Sequence, residues 1–274
     1  MQNPMPPTQP PNLPAHPVDE IAPQPPGPSD PLDRLIVALD LPSVAAAIEM
    51  VDRLQGACRW FKVGMELYYA AGNRIIEQLR ERRLNLFLDL KLHDIPNTVA
   101  GAVRSVSGLG ASLLTVHASG GERMMRAAAE AANVPGAPSL LAVTVLTSSD
   151  AAELRAVGVA DAPGSGDAVR AQVLRLAQLA RAAGIDGLVC SADEVAALRH
   201  HMGPRARLVV PGIRPAGPEA GRDDQRRVAT AAQAIARGAS MLVVGRPITQ
   251  APDPARAAAA ILTEIDSAQR AQPH

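Results

Sequence analysis

The chain has 274 residues, 27 basic and 27 acidic, so it has room for one large or two small domains, and its balanced charge makes no electrostatic case for a nucleic-acid or anionic-membrane partner. Two cysteines, Cys58 and Cys190, can build neither a disulfide framework nor a zinc cluster, and no apolar run approaches the roughly 20 residues that span a bilayer. The first residues carry no basic-then-apolar leader, and these features together predict a protein of a reducing, cytoplasmic compartment.

Residues 1–30 hold eleven of the 25 prolines and no apolar periodicity. They predict a disordered or polyproline-like tail that contributes no core, so its removal is expected to leave activity and stability unchanged. From residue 31 to about 266, short runs of Val, Ile and Leu alternate with helical stretches rich in Ala, Arg and Glu. In chain order the pattern predicts a strand at 34–40 and a helix at 43–55, then pairs at 59–64 and 73–82, 85–91 and 97–108, 112–117 and 121–132. The second half continues with 140–146 and 167–183, 187–190 and 192–201, 207–211 and 226–237, and 240–244 and 254–268. Eight such units fit a closed (β/α)8 TIM barrel, a single catalytic domain over 31–274. No G-x-G-x-x-G follows the first strand, which counts against a dinucleotide-binding sheet.

In a barrel of this kind the site lies at the carboxyl ends of the strands. Strand one ends in Asp40, strand two carries Lys62, and strand three ends in Asp89-Leu90-Lys91, followed by L-H-D-I-P-N-T from Leu92 to Thr98. Strand four ends in His117. Of the 27 basic residues only Lys62 and Lys91 are lysines, in a chain that otherwise uses arginine wherever a cation will serve. Arginine is in effect never deprotonated, so a retained lysine suggests a proton that must move. Period-two alternation puts Phe87, Asp89 and Lys91 on one face of strand three and Leu86, Leu88 and Leu90 on the other. Asp89 and Lys91 then face the barrel mouth beside Lys62, with Asp94 just past the strand end. The predicted result is a cluster of Lys62, Asp89, Lys91 and Asp94. An ion-pair network closing the barrel top would use the same residues, but burying four charges for stability alone is poorly compensated. Loops after strands seven and eight often bind phosphate. Here they offer Arg214, after Pro211-Gly212-Ile213, and Gly245-Arg246, which suggests a small phosphorylated substrate.

The segment F-L-D-L-K-L-H-D-I-P-N-T from Phe87 to Thr98 resembles the signature of the orotidine 5′-phosphate decarboxylase family. A-L-D ending at Asp40, F-K-V-G ending at Gly64, V-T-V-L-T-S ending at Ser148, P-G-I-R-P ending at Pro215, D-Q-R-R ending at Arg227 and V-V-G-R-P-I ending at Ile248 occur in the same order. The likeness spans residues 33–266. It implies a homodimeric, cofactor-free and metal-free decarboxylase of pyrimidine biosynthesis. Lys91 would then protonate C6 of the pyrimidine, Asp89 would lie against the substrate carboxylate, Lys62 would hold that aspartate and the ribose hydroxyls, and Asp40 would bind ribose. Asp94 and Thr98 would reach into the partner subunit's site, and Ile95 and Pro96 would touch substrate. Thr147, Arg214, Gln225, Gly245 and Arg246 would hold the base and phosphate. The loop from Arg214 to Gln225 is slightly longer than the family pattern, which leaves Gln225 the least anchored of these. The D-x-K-x-x-D core is shared with a wider group of phosphosugar barrels, so two alternatives stay open: a Mg²⁺-dependent lyase or isomerase, and a silent phosphate-binding barrel.

Overall fold

The computed structural model describes residues 27–159, 167–215 and 228–271. Most of the tail (residues 1–26), Gln225 and the start of the helix predicted at 226–237 lie outside the described residues. Eight strands, β1 (Leu35–Ala38), β2 (Trp60–Gly64), β3 (Asn85–Leu92), β4 (Leu113–His117), β5 (Ser139–Val143), β6 (Gly187–Val189), β7 (Arg207–Val210) and β8 (Met241–Val244), are all parallel and close in sequence order, β8 pairing with β1. This is the predicted (β/α)8 barrel.

The helices are α1 (Val44–Arg53), α2 (Met65–Ala71), α3 (Asn73–Glu81), α4 (Pro96–Val106), α5 (Gly121–Ala131), α6 (Ala151–Ala156), α7 (Ala168–Ala182), α8 (Val195–Met202), α9 (Ala231–Ala236), α10 (Arg246–Thr249) and α11 (Pro254–Arg270). The eight predicted helices correspond to α1, α3, α4, α5, α7, α8, α9 and α11. Strict alternation is broken by α2, α6 and α10, short helices in the loops at the carboxyl ends of the strands. Gly72 divides α2 from α3 with φ +58° and ψ −143°, a conformation open to glycine but strained for any side chain. The start of α6 is legible in the sequence, because Asp150 and Glu153 form a reciprocal capping box.

Alternation along the strands sorts the core into two clusters. Ile36, Ala38, Phe87, Leu113, Leu141, Val209, Met241 and Val243 fill the barrel interior. Their neighbours one step out of phase, such as Leu35, Val37, Leu86, Leu88 and Leu114, pack against the helices. One turn of pleat further along the inward phase, the apolar floor gives way to Lys62, Asp89 and Thr115, all buried.

Pro28, Ser29 and Asp30, read from the sequence as part of the tail, bond to the barrel. The Pro28 carbonyl accepts from Nε of the fully buried Arg34 (2.6 Å) and from Gln269, and Asp30 pairs with Arg59 (2.8 Å). Burial lowers the Arg34 pKa to about 10, with like-charged Arg199 adding to the effect. Arg34 is served by carbonyls, Pro28 at one edge and Ala239 at another. A chain lacking residues 1–30 is therefore expected to melt several degrees below one lacking residues 1–26, on the scale of about 1–3 kcal/mol for a buried donor left without its acceptor. Thermal unfolding of both truncations checks this, and equal midpoints would show that solvent replaces Pro28.

Candidate active site

The register of the first three strands sets the charged row. Ala38 lies beside Lys62, Lys62 beside Phe87 and Gly64 beside Asp89. Asp40 continues the inward phase of Ile36 and Ala38 two residues beyond the end of β1. Lys62 Nζ contacts Asp40 Oδ1 at 2.8 Å and Asp89 Oδ2 at 3.5 Å, and Lys91 Nζ contacts Asp89 Oδ2 at 2.8 Å. Charge thus alternates along Asp40, Lys62, Asp89 and Lys91. Gly64 leaves the space this row needs, because a Cβ there would stand 2.9 Å from Lys62 Nζ and 3.0 Å from Asp40 Oδ1.

Lys91 does not reach its place by simple alternation. The pairing of β3 with β4 shifts between Leu88 and Leu92, and Lys91 takes a left-handed backbone with φ +50°. For a residue with a Cβ this costs about 1–2 kcal/mol, so the surroundings must hold it there. Thr115, which the sequence reading did not single out, is what holds it. The Lys91 N–H donates to Thr115 Oγ1 (2.9 Å), and that hydroxyl donates to Asp89 Oδ1 (3.0 Å).

Burial alone would raise the Asp89 pKa, but Lys62 and then Lys91 outweigh it and hold the carboxyl below its usual range. Burial alone would likewise lower the Lys62 pKa, but Asp89 and then Asp40 outweigh it and hold the ammonium above its usual value. The Asp89 contribution to stability is present above the ordinary carboxylate pKa and fades as pH falls toward the lower folded value. That of Lys62 is present below the ordinary lysine pKa and is lost as pH rises through the higher folded value. Both groups are therefore charged throughout the neutral range. His117, at the end of β4, lies with its ring 5.5 Å from that of His93 at a tilt of 36°, and burial, then His93, then Lys91, push its pKa down.

The row forms one wall of a cavity of about 540 Å³, a size suited to a small ligand. Thr147, Arg214, Gly245 and Arg246 line the same cavity, from the loops after β5, β7 and β8. Lys62, Lys91, Arg214 and Arg246 against Asp40 and Asp89 leave a net of two positive charges, which suits an anionic ligand. Asp94, Ile95, Pro96 and Thr98 are not among the cavity-lining residues. The four-charge cluster expected from sequence is therefore corrected within one chain: the row is Asp40, Lys62, Asp89 and Lys91, and Asp94 stands outside it. Asp94 is exposed at the start of α4, where its carboxylate accepts from the Ile95 N–H (2.6 Å). Among the described residues no three His, Cys, Asp or Glu side chains converge as they would around a metal ion.

Fold and site define a (β/α)8-barrel protein with an ion-paired, cationic pocket at the carboxyl ends of its strands, the usual place for a barrel enzyme's active site. A protein-family comparison matches residues 33–261 to the family described as orotidine 5′-phosphate decarboxylase / HUMPS. The chain belongs to this family. The orotidine 5′-phosphate decarboxylase of Halorhodospira halophila is 52% identical over 236 residues, covering 86% of this chain and 97% of that protein. That of Rhodopseudomonas palustris is 53% identical over 237 residues, 86% of this chain and 96% of its own. The crystal structure of orotidine 5′-phosphate decarboxylase from Lactobacillus acidophilus superposes with a TM-score of 0.73 at 39% identity, covering 85% of this chain and all of that one.

Proposed function

We propose that this chain decarboxylates orotidine 5′-phosphate to uridine 5′-phosphate and CO2, a step of pyrimidine biosynthesis, through the barrel domain and without a cofactor. The observation that carries the reading is the row Asp40–Lys62–Asp89–Lys91, which lines one cavity of ligand size together with Arg214 and Arg246. In the reaction the bond from C6 to the carboxylate breaks and its electron pair stays on C6, where the pyrimidine ring delocalises it poorly. The Lys91 ammonium, already fixed by Asp89, stabilises that charge as it develops and then gives C6 its proton, and solvent reprotonates the amine. Asp89 repels the substrate carboxylate, and that repulsion is released as CO2 leaves. Lys62 holds Asp89 and Asp40 in place, and Asp40 binds the ribose. Thr147, Arg214, Gln225, Gly245 and Arg246 hold the base and phosphate, and binding energy gathered there can hold the reacting geometry.

A Mg²⁺-dependent lyase would need free carboxylate oxygens. Here Asp89 Oδ1 accepts from Thr115 and Oδ2 lies against two lysines, while Asp94 stands outside the cavity. Turnover of orotidine 5′-phosphate, followed by loss of its ultraviolet absorbance in excess chelator, tests the proposal. Chelator-resistant turnover is expected. Loss of activity with chelator would favour the lyase, and binding without turnover a silent barrel.

The proposal includes a homodimer with shared sites. Its support is an apolar surface at the carboxyl end of the barrel. Ile95 (67% exposed) on the loop after β3, and Tyr69 (76%) and Met65 (43%) on the helix after the neighbouring β2, are large apolar side chains left exposed. Exposed large apolar groups gathered beside a site mark an interface. Asp94 is exposed beside Ile95, so a partner chain could supply the carboxylate that the row of a single chain lacks. The proposed setting is the cytoplasm, in keeping with two buried free cysteines. Among the described residues no helix is long and apolar enough to cross a membrane.

Arg246→Ala is expected to weaken transition-state binding by about 2–5 kcal/mol, the scale for truncating one partner of an enclosed charge pair. The loss in kcat/KM should be much smaller for orotidine, which lacks the phosphate. An equal loss for both substrates would make Arg246 a structural residue.

A further inference from the structure

Thr115 sits in the middle of β4 with no exposed surface, in the inward phase between Leu113 of the apolar floor and His117 at the mouth. Its hydroxyl bonds to both halves of the lysine–carboxylate pair. The direction of its hydrogen bonds is fixed by chemistry. A backbone N–H can only donate, so Thr115 Oγ1 accepts from Lys91, and a carboxylate can only accept, so the hydroxyl proton goes to Asp89. Both functions of one hydroxyl are thus occupied by the two residues whose relative position matters most to the proposed reaction.

The two contacts have separate consequences. The first compensates a gap in the sheet. Because the β3–β4 register shifts between Leu88 and Leu92, the Lys91 N–H falls where regular pairing is interrupted, and Thr115 takes the part of the acceptor. It thereby holds the left-handed backbone from which the lysine side chain starts. The second contact completes the carboxylate. With Oδ1 on Thr115 and Oδ2 on Lys62 and Lys91, Asp89 cannot rotate about χ2 without breaking a contact on a different strand. From these facts, and resting on the decarboxylase reading, we infer that Thr115 is a positioning residue for the reaction: its single hydroxyl sets the Lys91 backbone and the Asp89 carboxylate in one fixed relation. It touches neither substrate nor reacting atoms.

A positioning role of this kind predicts a loss in kcat rather than in ground-state binding, because the proposed grip on the phosphate comes from Arg214 and Arg246 in the loops after β7 and β8, whereas the Thr115 hydroxyl bonds to Lys91 and Asp89. Thr115→Val keeps the shape and removes the hydroxyl. Its kcat is expected to fall about 10- to 100-fold, with KM within about threefold of wild type, the range for a displaced catalytic group. Thr115→Ser keeps the hydroxyl and loses the methyl, and should recover kcat to within about threefold of wild type. Thr115→Ala, which puts no methyl against Asp89, carries the same expectation as the valine variant and replaces it if that chain does not fold. Near-wild-type kcat in a hydroxyl-free variant would overturn the inference. So would a serine variant as impaired as valine, which would point to packing by the methyl, or a loss confined to KM. Wild-type turnover in the same assay separates the two levels. No turnover by the wild type would sink the functional reading and this inference with it, whereas normal turnover by both wild type and Thr115→Val would sink the inference alone.

Discussion

Turnover of orotidine 5′-phosphate by a Lys91→Arg chain is expected to fall to the background of the assay, although the positive charge is kept. Arginine can still face Asp89 and can still stabilise negative charge on C6, so the substitution separates electrostatics from proton delivery. A guanidinium has a pKa above about 12 and gives up its proton too reluctantly to complete the reaction. Its planar fork also needs more room than the 2.8 Å contact between Lys91 Nζ and Asp89 Oδ2 now uses. The variant should remain folded, because Asp89 keeps Lys62, Thr115 and a cation on its third side. Lys91→Ala is the harsher control. It leaves Asp89 with one cation, and breaking a buried pair in this way costs about 3–5 kcal/mol when the pair is fully enclosed, less here because Lys91 is a quarter exposed. Measured kcat and unfolding midpoints for the two variants check this. Near-normal turnover by Lys91→Arg would remove Lys91 from the donor role and leave it a purely electrostatic one.

The second large effect is a recovery. Lys91→Ala and Asp94→Ala chains are each expected to be nearly inactive alone, and a mixture of the two, after subunit exchange, is expected to regain roughly a quarter of wild-type activity. Within one chain the cavity is lined by Asp40, Lys62, Asp89 and Lys91 but not by Asp94, which lies on the exposed surface beside Ile95. If a two-fold dimer brings Asp94 of one chain to Lys91 of the other, a hybrid dimer has one site with both defects and one with none. Random re-association makes about half the dimers hybrids, each with one good site of two, which gives the quarter. If Asp94 served its own chain, every site in the mixture would carry one defect and nothing would return. No recovery, with exchange confirmed by a size or mass tag on one chain, would sink the shared-site proposal while leaving the decarboxylase reading standing.

Much of this architecture is written in local sequence. Eight strands at their predicted places follow from apolar runs of the right length, and the inward and outward leucines of β3 follow from an alternation that needs no tertiary information. The two lysines stood out because arginine fills nearly every other cationic position. The short helix α6 is legible in its capping box, whereas α2 begins directly after Gly64 with no side-chain cap to announce it.

Other features depend on contacts between segments far apart in the chain. Nothing in S-L-L-T-V-H distinguishes Thr115 from the threonines that β-strands ordinarily carry. Its role arises because closing the ring sets β4 against β3 in a register that slips by Lys91, leaving one N–H in want of an acceptor and one carboxylate oxygen in want of a donor. The same slip accompanies a left-handed conformation at Lys91 that residues with side chains disfavour, while Asp94, three residues on, is exposed rather than in the row. Pro28 is held by Arg34 and Gln269, the latter 241 residues away, so its place on the barrel could not be read from a proline-rich stretch. Sequence determined which side of each strand faces the barrel axis, because that alternation is a property of a single extended backbone. Tertiary structure alone decided which atoms meet there, because strand register and the point where it slips are set by the closure of eight strands at once.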